Sequence, residues 1–138
     1  MRKVDDKKLY RVIDANINRA KEGLRVCEDV CRFLHNQEKK TQRYKLLRHK
    51  LTTALSALSI QEVVEARDIG GDVGKKSSAT EFRRKNVADI FYANSQRVKE
   101  SIRVLEEFTK LLNGRMAEDL KKIRYKVYAI EREVIQEL

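Results

Sequence analysis

Apolar residues recur every three or four positions along most of the chain, which is the spacing of an amphipathic helix. The spacing predicts a first helix over 6–34, which the polar segment HNQEKKT interrupts. It resumes over 41–66, and two further helices are predicted over 86–112 and 116–138. The pattern therefore predicts an all-α protein built from four long helices.

Short polar segments separate these helices. Asn86 with Asp89 three residues later is typical of a helix N-terminus. The pair Asn113–Gly114 is expected to end the third helix, because glycine is favoured just after a helix C-terminus. A crossover over 67–85 holds three of the five glycines and is predicted to be a loop.

A sequence motif is repeated in the first and third helices. ANINRAKEGLRVCE at 15–28 and ANSQRVKESIRVLE at 93–106 lie 78 residues apart, and eight of the nineteen positions from 15 to 33 are identical to their counterparts. The partner helices match as well, with LRHKL at 47–51 and IRYKV at 123–127. The repeat predicts a duplicated helical hairpin that forms a four-helix bundle with pseudo-two-fold symmetry and a Gly-rich crossover loop.

The 138 residues are expected to form a single domain. Its predicted parts are a first hairpin over 6–66, the crossover over 67–85 and a second hairpin over 86–138. No apolar run is long enough to span a bilayer, and the first residues lack the apolar core of a signal peptide. We therefore expect a cytoplasmic protein with no membrane partner.

The net charge is +10, which attracts nucleic acid, anionic lipid or phosphorylated small molecules. No helix-turn-helix and no platform of aromatic and basic residues is visible, so nucleic acid is not the expected partner. Cys27 and Cys31 lie four residues apart on one helix, where a disulfide would be strained, and they are expected to be core thiols.

Helical projection places two Asn and four Arg at or beside the bundle interior. A buried guanidinium needs a negative partner, because it cannot lose its proton. That partner is either a carboxylate of the protein, in a purely structural polar core, or a small anionic ligand in a cleft of the bundle. The six residues are Asn16 and Arg19, their repeats Asn94 and Arg97, and Arg48 and Arg124 on the partner helices.

Four other repeated residues fall on the opposite side of the same helices. Arg25, Glu28, Arg103 and Glu106 are spaced as ladders of neighbouring charges. Such ladders usually lie on a solvated face, so these residues are expected to point outward. A second interface on the faces of Arg25 and Arg103 would make a homodimer.

The crossover sequence ARDIGGDVGKKSS departs from a Walker phosphate loop in its glycine spacing and follows a helix, not a strand. Its backbone N–H groups, with Lys75 and Lys76, could still line a phosphate. Asp68 and Asp72 could hold Mg²⁺ through oxygen ligands. The alternative is a linker whose acids cap neighbouring helices.

Four segments in order carry a resemblance to a known family: LYRVIDANINRAKEGLRVCED, LRHKL, ARDIGGDVG and ANSQRVKESIRVLEEF. They resemble the monofunctional bacterial hydroxymethylpyrimidine-phosphate kinases, a domain often fused in front of thiamine-phosphate synthase. The resemblance implies a thiamine-biosynthetic kinase that uses ATP and Mg²⁺ to convert 4-amino-5-hydroxymethyl-2-methylpyrimidine phosphate to the diphosphate. It also implies that a separate thiamine-phosphate synthase could be a partner.

The resemblance assigns roles to the matching positions. Phosphates would be clamped by arginines, with Arg97 among the catalytic residues, and the two Asn would orient the substrates. Asp68 and Asp72 would be catalytic, holding Mg²⁺ or accepting the hydroxyl proton. The remaining substrate-binding residues would be Asn16, Arg19, Arg48, Arg67, Gly74, Asn94 and Arg124.

Other functions fit the same residues. The chain could be a non-catalytic helical module that assists a separate thiamine-phosphate synthase. It could also be another small all-helical enzyme that binds an anionic metabolite, such as a chorismate mutase. The RDIGGDVG loop follows only the first hairpin, which predicts one composite site, although two pseudo-equivalent sites remain possible.

Overall fold

The computed structural model describes residues 5–78 and 83–138, and within them it is helical with no strand. This confirms the all-α class. None of the described helices is long and apolar enough to cross a lipid bilayer. The helices are α1 (Asp6–Asp29), α2 (Glu38–Ala54), α3 (Ile60–Glu65), α4 (Val87–Thr109) and α5 (Gly114–Glu137), with a π-helical turn (Val30–Leu34) after α1.

The first predicted helix extends over 6–34 as expected, but its last turn is π-helical. The α-helical bonds of α1 give way at Val30 to a π-helical turn, in which the His35 N–H donates to the Val30 carbonyl. Asn36 then takes a positive φ of 50°, a conformation that Asn tolerates better than most residues. The chain reverses there, and the next helix already begins at Glu38.

The second predicted helix is two helices in the structure. Near the end of α2 the hydroxyls of Thr52 and Thr53 donate to the carbonyls four residues before them, and Ser56 donates to the Thr53 carbonyl. Such side-chain bonds compete with the helical pattern. The Ser59 hydroxyl then caps α3 by accepting from the Glu62 N–H.

Asparagine side chains begin both helices of the second half. Asn86 accepts from the Asp89 N–H at 2.8 Å, which confirms the predicted cap of α4. The prediction that Asn113–Gly114 ends the third helix is wrong, because α4 ends at Thr109 and Gly114 is the first residue of α5. The Asn113 side chain accepts from the Arg115 N–H at 2.9 Å, so the pair begins a helix.

The core lies between the four long helices. α1 packs against α4 and α2, α5 packs against α4 and α2, and the short α3 packs against α1. Tyr44 and Phe91 meet edge to face at the centre, with ring centroids 6.3 Å apart. Cys27 and Cys31 are buried free thiols, as expected, and burial raises the pKa of Cys31 to about 11. The division into hairpins and the pseudo-two-fold axis stay predictions.

The two repeated helices approach each other closely at Gly23. A Cβ at this position would lie 2.6 Å from Val98 Cγ2 and 3.0 Å from the Asn94 carbonyl oxygen. We expect Gly23→Ala to lower the free energy of unfolding by about 1–3 kcal/mol, because α1 and α4 must move apart to admit the methyl group. Urea unfolding measures this. Ala15→Gly, at a half-buried position of the same helix, is the control for a change in helix propensity. A Gly23→Ala protein as stable as the wild type would contradict the close approach.

Candidate functional site

Two buried ion pairs occupy matching places in the two halves. Arg48 of α2 donates through Nε and Nη2 to the Glu28 carboxylate at 3.0–3.2 Å. Arg124 of α5 donates through the same atoms to Glu106 at 2.5 and 3.1 Å. Both carboxylates are almost fully buried, and the guanidinium groups largely so. Each pair therefore ties a repeated helix to its partner helix.

This arrangement corrects the orientations expected for Glu28 and Glu106, which do not point outward. α1 and α4 each have a long helix on two sides, so the buried arc is wider than the apolar residues alone indicate. The inward orientation expected for Arg19 and Arg97 is also wrong, because both side chains are exposed. The protein thus supplies the carboxylate partners of Arg48 and Arg124 itself.

The repeated asparagines are bonded within their own helices. Asn16 is buried, and its amide donates to the Val12 carbonyl at 2.8 Å. Asn94 makes the equivalent bond to the Ile90 carbonyl, also at 2.8 Å. The Asn16 side-chain oxygen accepts from Arg19 Nη1 at 3.4 Å, so it contacts the guanidinium group of that arginine.

A cleft of about 590 Å³ lies between the first four turns of α1 and the start of the crossover. We refer to it as the α1–crossover cleft. It brings together five of the predicted site residues, and three charged residues that were not predicted also line it. The predicted residues are Asn16, Arg19, Arg67, Asp68 and Asp72, and the additional ones are Lys8, Arg11 and Asp14.

A two-pronged contact between Asp14 and Arg67, here called the Asp14–Arg67 fork, joins the crossover to α1. Arg67 Nε and Nη2 each donate to a different Asp14 carboxylate oxygen at 2.7 Å. Asp14 is buried, and the amide of Asn18 donates to its carbonyl and to Oδ1. The hydrogen bonds to this carboxylate raise the pKa of Arg67 above its ordinary value. Arg67 therefore stays charged at the rim of the cleft.

Asp68 and Asp72 face the cleft from the crossover. Asp68 Oδ1 accepts from the Gly71 N–H at 2.8 Å, and Asp72 Oδ1 accepts from the Gly74 N–H at 2.9 Å. A Cβ on Gly71 would lie 2.2 Å from Asp68 Oδ2, so the Asp68 side chain would have to shift to admit a larger residue there. Carboxylate oxygens suit Mg²⁺, but no group of three or more His, Cys, Asp or Glu is arranged for a metal ion within the described ranges. A bound Mg²⁺ would take further ligands from phosphates.

The other predicted site residues lie outside this cleft. Arg48 lines shallow grooves between α1 and α2. Arg124 is held by Glu106 and lies within 5.2 Å of the centroid of the Tyr125 ring. Asn94, Arg97 and Gly74 are not among the residues that line the cleft. The Gly74 N–H donates to Asp72, which does line it. Roles for these residues in binding stay predictions.

Two signals in the sequence could have revealed the missed residues. Lys8, Arg11 and Arg19 share one ridge of α1, because they lie at helical spacings of three and eight residues. Asp14 precedes the repeated motif, and its counterpart 78 residues later is Tyr92, which has no carboxylate. A departure from the repeat therefore marks the residue that holds the crossover.

The fold and the cleft define a class of protein: an all-helical bundle with a basic cleft formed by its first helix and the crossover between its halves. The chain belongs to the ThiD2 family, whose model matches residues 11–133.

Several curated relatives that are named thiamine-phosphate synthase are similar over most of the chain. The protein of Nostoc sp. is 39% identical over 124 residues, which are 89% of this chain and 34% of the relative. That of Synechocystis sp. is 40% identical over 124 residues, with 89% and 35% covered. That of Rhodopirellula baltica is 35% identical over 135 residues, with 97% and 36% covered. The chain thus spans about a third of the length of these relatives. No solved structure matches it significantly.

Proposed function

We propose that the chain serves thiamine biosynthesis as a helical module that assists a thiamine-phosphate synthase. The observation that carries this proposal is the alignment of nearly the whole chain with about a third of proteins named for that activity. The remaining two thirds of those relatives have no counterpart here. The module would therefore act beside a synthase region.

A reconstitution tests the assisting role. A purified synthase region, prepared from the part of the Nostoc relative that this chain does not match, is assayed for thiamine phosphate with and without the chain. We expect the chain to bind this region and to raise its rate. Serum albumin at equal concentration is the control for nonspecific stabilisation. No binding and no change in rate would contradict the assisting role.

The α1–crossover cleft favours a second candidate, the kinase, because it gathers Arg19, Arg67, Asp68 and Asp72 beside a buried Asn16. Phosphoryl transfer depends mainly on positioning and charge neutralisation, which such residues can supply. A phosphate oxygen of the pyrimidine substrate would bond to the γ-phosphorus of ATP. The bond from that phosphorus to the β–γ bridging oxygen would break, and ADP would leave with the electron pair.

This chemistry narrows the role of the two crossover acids. The acceptor is a phosphate oxygen that is already largely ionised at neutral pH, so no base is needed to remove a hydroxyl proton. Asp68 and Asp72 would instead hold Mg²⁺, each through the oxygen that does not accept a backbone N–H. A bound Mg²⁺ would neutralise charge on the transferring phosphates.

One assay separates the two candidates. The chain is incubated with MgATP, with and without the hydroxymethylpyrimidine phosphate, and ADP and the pyrimidine diphosphate are measured. ADP that forms only with the pyrimidine, in equal amount to the diphosphate, would establish the kinase. If the chain accelerates the synthase but forms no ADP, only the assisting role is supported. A parallel thermal-shift screen includes a duplex oligonucleotide, and stabilisation by it alone would favour nucleic-acid binding instead.

A further inference from the structure

The α1 wall of the cleft carries positive charge that the protein does not neutralise. Within the described ranges, Lys8, Arg11 and Arg19 have no carboxylate within salt-bridge distance, although three acids line the same cleft. Asp14 is already bound to Arg67, and the two crossover acids accept backbone N–H groups of their own loop. The three cations are therefore available to an anionic ligand.

The spacing of these cations favours a ligand with more than one phosphate. From Lys8 to Arg19 the helix rises by about 16 Å, at about 1.5 Å per residue. A single phosphate would contact only one end of this row. Linked phosphates, or two phosphorylated groups in line, would contact more of these cations than a single phosphate does, because long and flexible Lys and Arg side chains can converge on them.

Arg67 faces this row from the crossover. Its Nε and Nη2 are used by the fork, which leaves Nη1 unbonded among the described residues, and its side chain is 41% exposed. The Asp14 carboxylate is buried, so it can hold the Arg67 guanidinium group while it is itself shielded from solvent and from the ligand. Orientation of Arg67 thus depends on Asp14.

We infer that the α1–crossover cleft binds a ligand that carries two or more linked phosphates. Lys8, Arg11 and Arg19 contact the phosphates along α1, and Arg67 contacts them from the other side. Asp14 is the positioning residue that holds Arg67, and with it the crossover, over the row of cations. The inference rests on the proposed function only for the choice of phosphate as the anion.

Isothermal titration at about 0.15 M salt, where long-range attraction to the basic protein is screened, tests the ligand class. We expect tripolyphosphate to bind more tightly than pyrophosphate, and both more tightly than inorganic phosphate. Arg11→Ala should weaken tripolyphosphate binding about 10- to 100-fold, the cost of one charged hydrogen bond. Arg115→Ala removes the same charge from an exposed position on α5 and should change binding less than twofold. Equal affinities for the three anions, or equal losses in the two variants, would overturn the site.

Asp14→Asn tests the positioning role, because a role through charge and a role through positioning predict opposite changes in anion affinity. Removal of a negative charge from the cleft should tighten anion binding if Asp14 acts only through its charge. A positioning role predicts at least fivefold weaker tripolyphosphate binding, together with faster tryptic cleavage after the exposed Lys75 and Lys76. Arg67→Lys keeps the positive charge but cannot form the two-pronged contact, so it should show the same two effects as Asp14→Asn. Glu118→Gln removes a negative charge from α5 and should change neither tripolyphosphate binding nor tryptic cleavage. Unchanged or tighter binding by Asp14→Asn would overturn the role.

Failure of this inference can be told apart from failure of the proposed function. A chain that binds tripolyphosphate in the cleft and forms no ADP contradicts the kinase and supports the site. A chain that turns over ATP at the wild-type rate after Arg11→Ala and Asp14→Asn supports the kinase and places its ligands elsewhere.

Discussion

Arg124→Ala should lower the free energy of unfolding by about 3–5 kcal/mol, because it leaves a buried carboxylate without its cation. Glu106 is 5% exposed at its side chain, and its only ion-pair partner in the described structure is Arg124. For a chain of this size the loss corresponds to a fall in Tm of roughly 10 °C or more. Thermal and urea unfolding, followed by circular dichroism, measure both quantities.

The matching pair in the first half should be less sensitive. Glu28 is held by Arg48, but Arg25 Nη1 also lies 3.4 Å from its carboxylate. Arg48→Ala therefore leaves one cation near the buried charge, and we expect about half the loss of Arg124→Ala. An equal loss in both variants would contradict the difference between the two pairs.

Two controls separate buried charge from general damage. Arg103→Ala removes an exposed arginine that bonds to Glu107 and should cost less than about 0.5 kcal/mol. Glu106→Leu combined with Arg124→Met replaces both charges by apolar groups and should recover most of the stability lost in Arg124→Ala. A double variant as unstable as the single one would show that packing, and not the unpaired charge, causes the loss.

Arg19→Ala should weaken ligand binding in the cleft about 10- to 100-fold, whereas Arg97→Ala should leave it nearly unchanged. The two arginines are repeats of each other and both are exposed, but only Arg19 lines the α1–crossover cleft. Tripolyphosphate binding measures the effect, and ADP formation measures it as well if the chain is a kinase. Because each variant removes one exposed arginine, the pair controls for net charge and stability.

This comparison also decides between one composite site and two equivalent sites. Equal losses in Arg19→Ala and Arg97→Ala would indicate two sites related by the repeat. A loss in Arg97→Ala alone would support the catalytic role that the resemblance assigns to that residue. The crossover follows only the first half, so we expect the single site beside α1.

Much of the fold could be predicted because helix-forming signals are local. Apolar spacing revealed the four long helices, and the Asn86 side chain marked the start of α4. The interruptions were harder to predict. The Thr52 and Thr53 hydroxyls bond to backbone carbonyls near the end of α2, and apolar spacing gives no sign of these bonds. The Asn113–Gly114 pair can end one helix or begin the next, and the structure uses it to begin α5.

The sequence by itself determined that this chain is helical, that its two halves share a motif, and that arginines and acids are concentrated in that motif. The tertiary structure alone decided which charges are buried. Glu28 and Glu106 are covered because a second helix lies over them, and a projection of one helix contains no information about its neighbours. The cleft likewise depends on Asp14 and Arg67, which lie 53 residues apart and meet only when the crossover folds back onto α1.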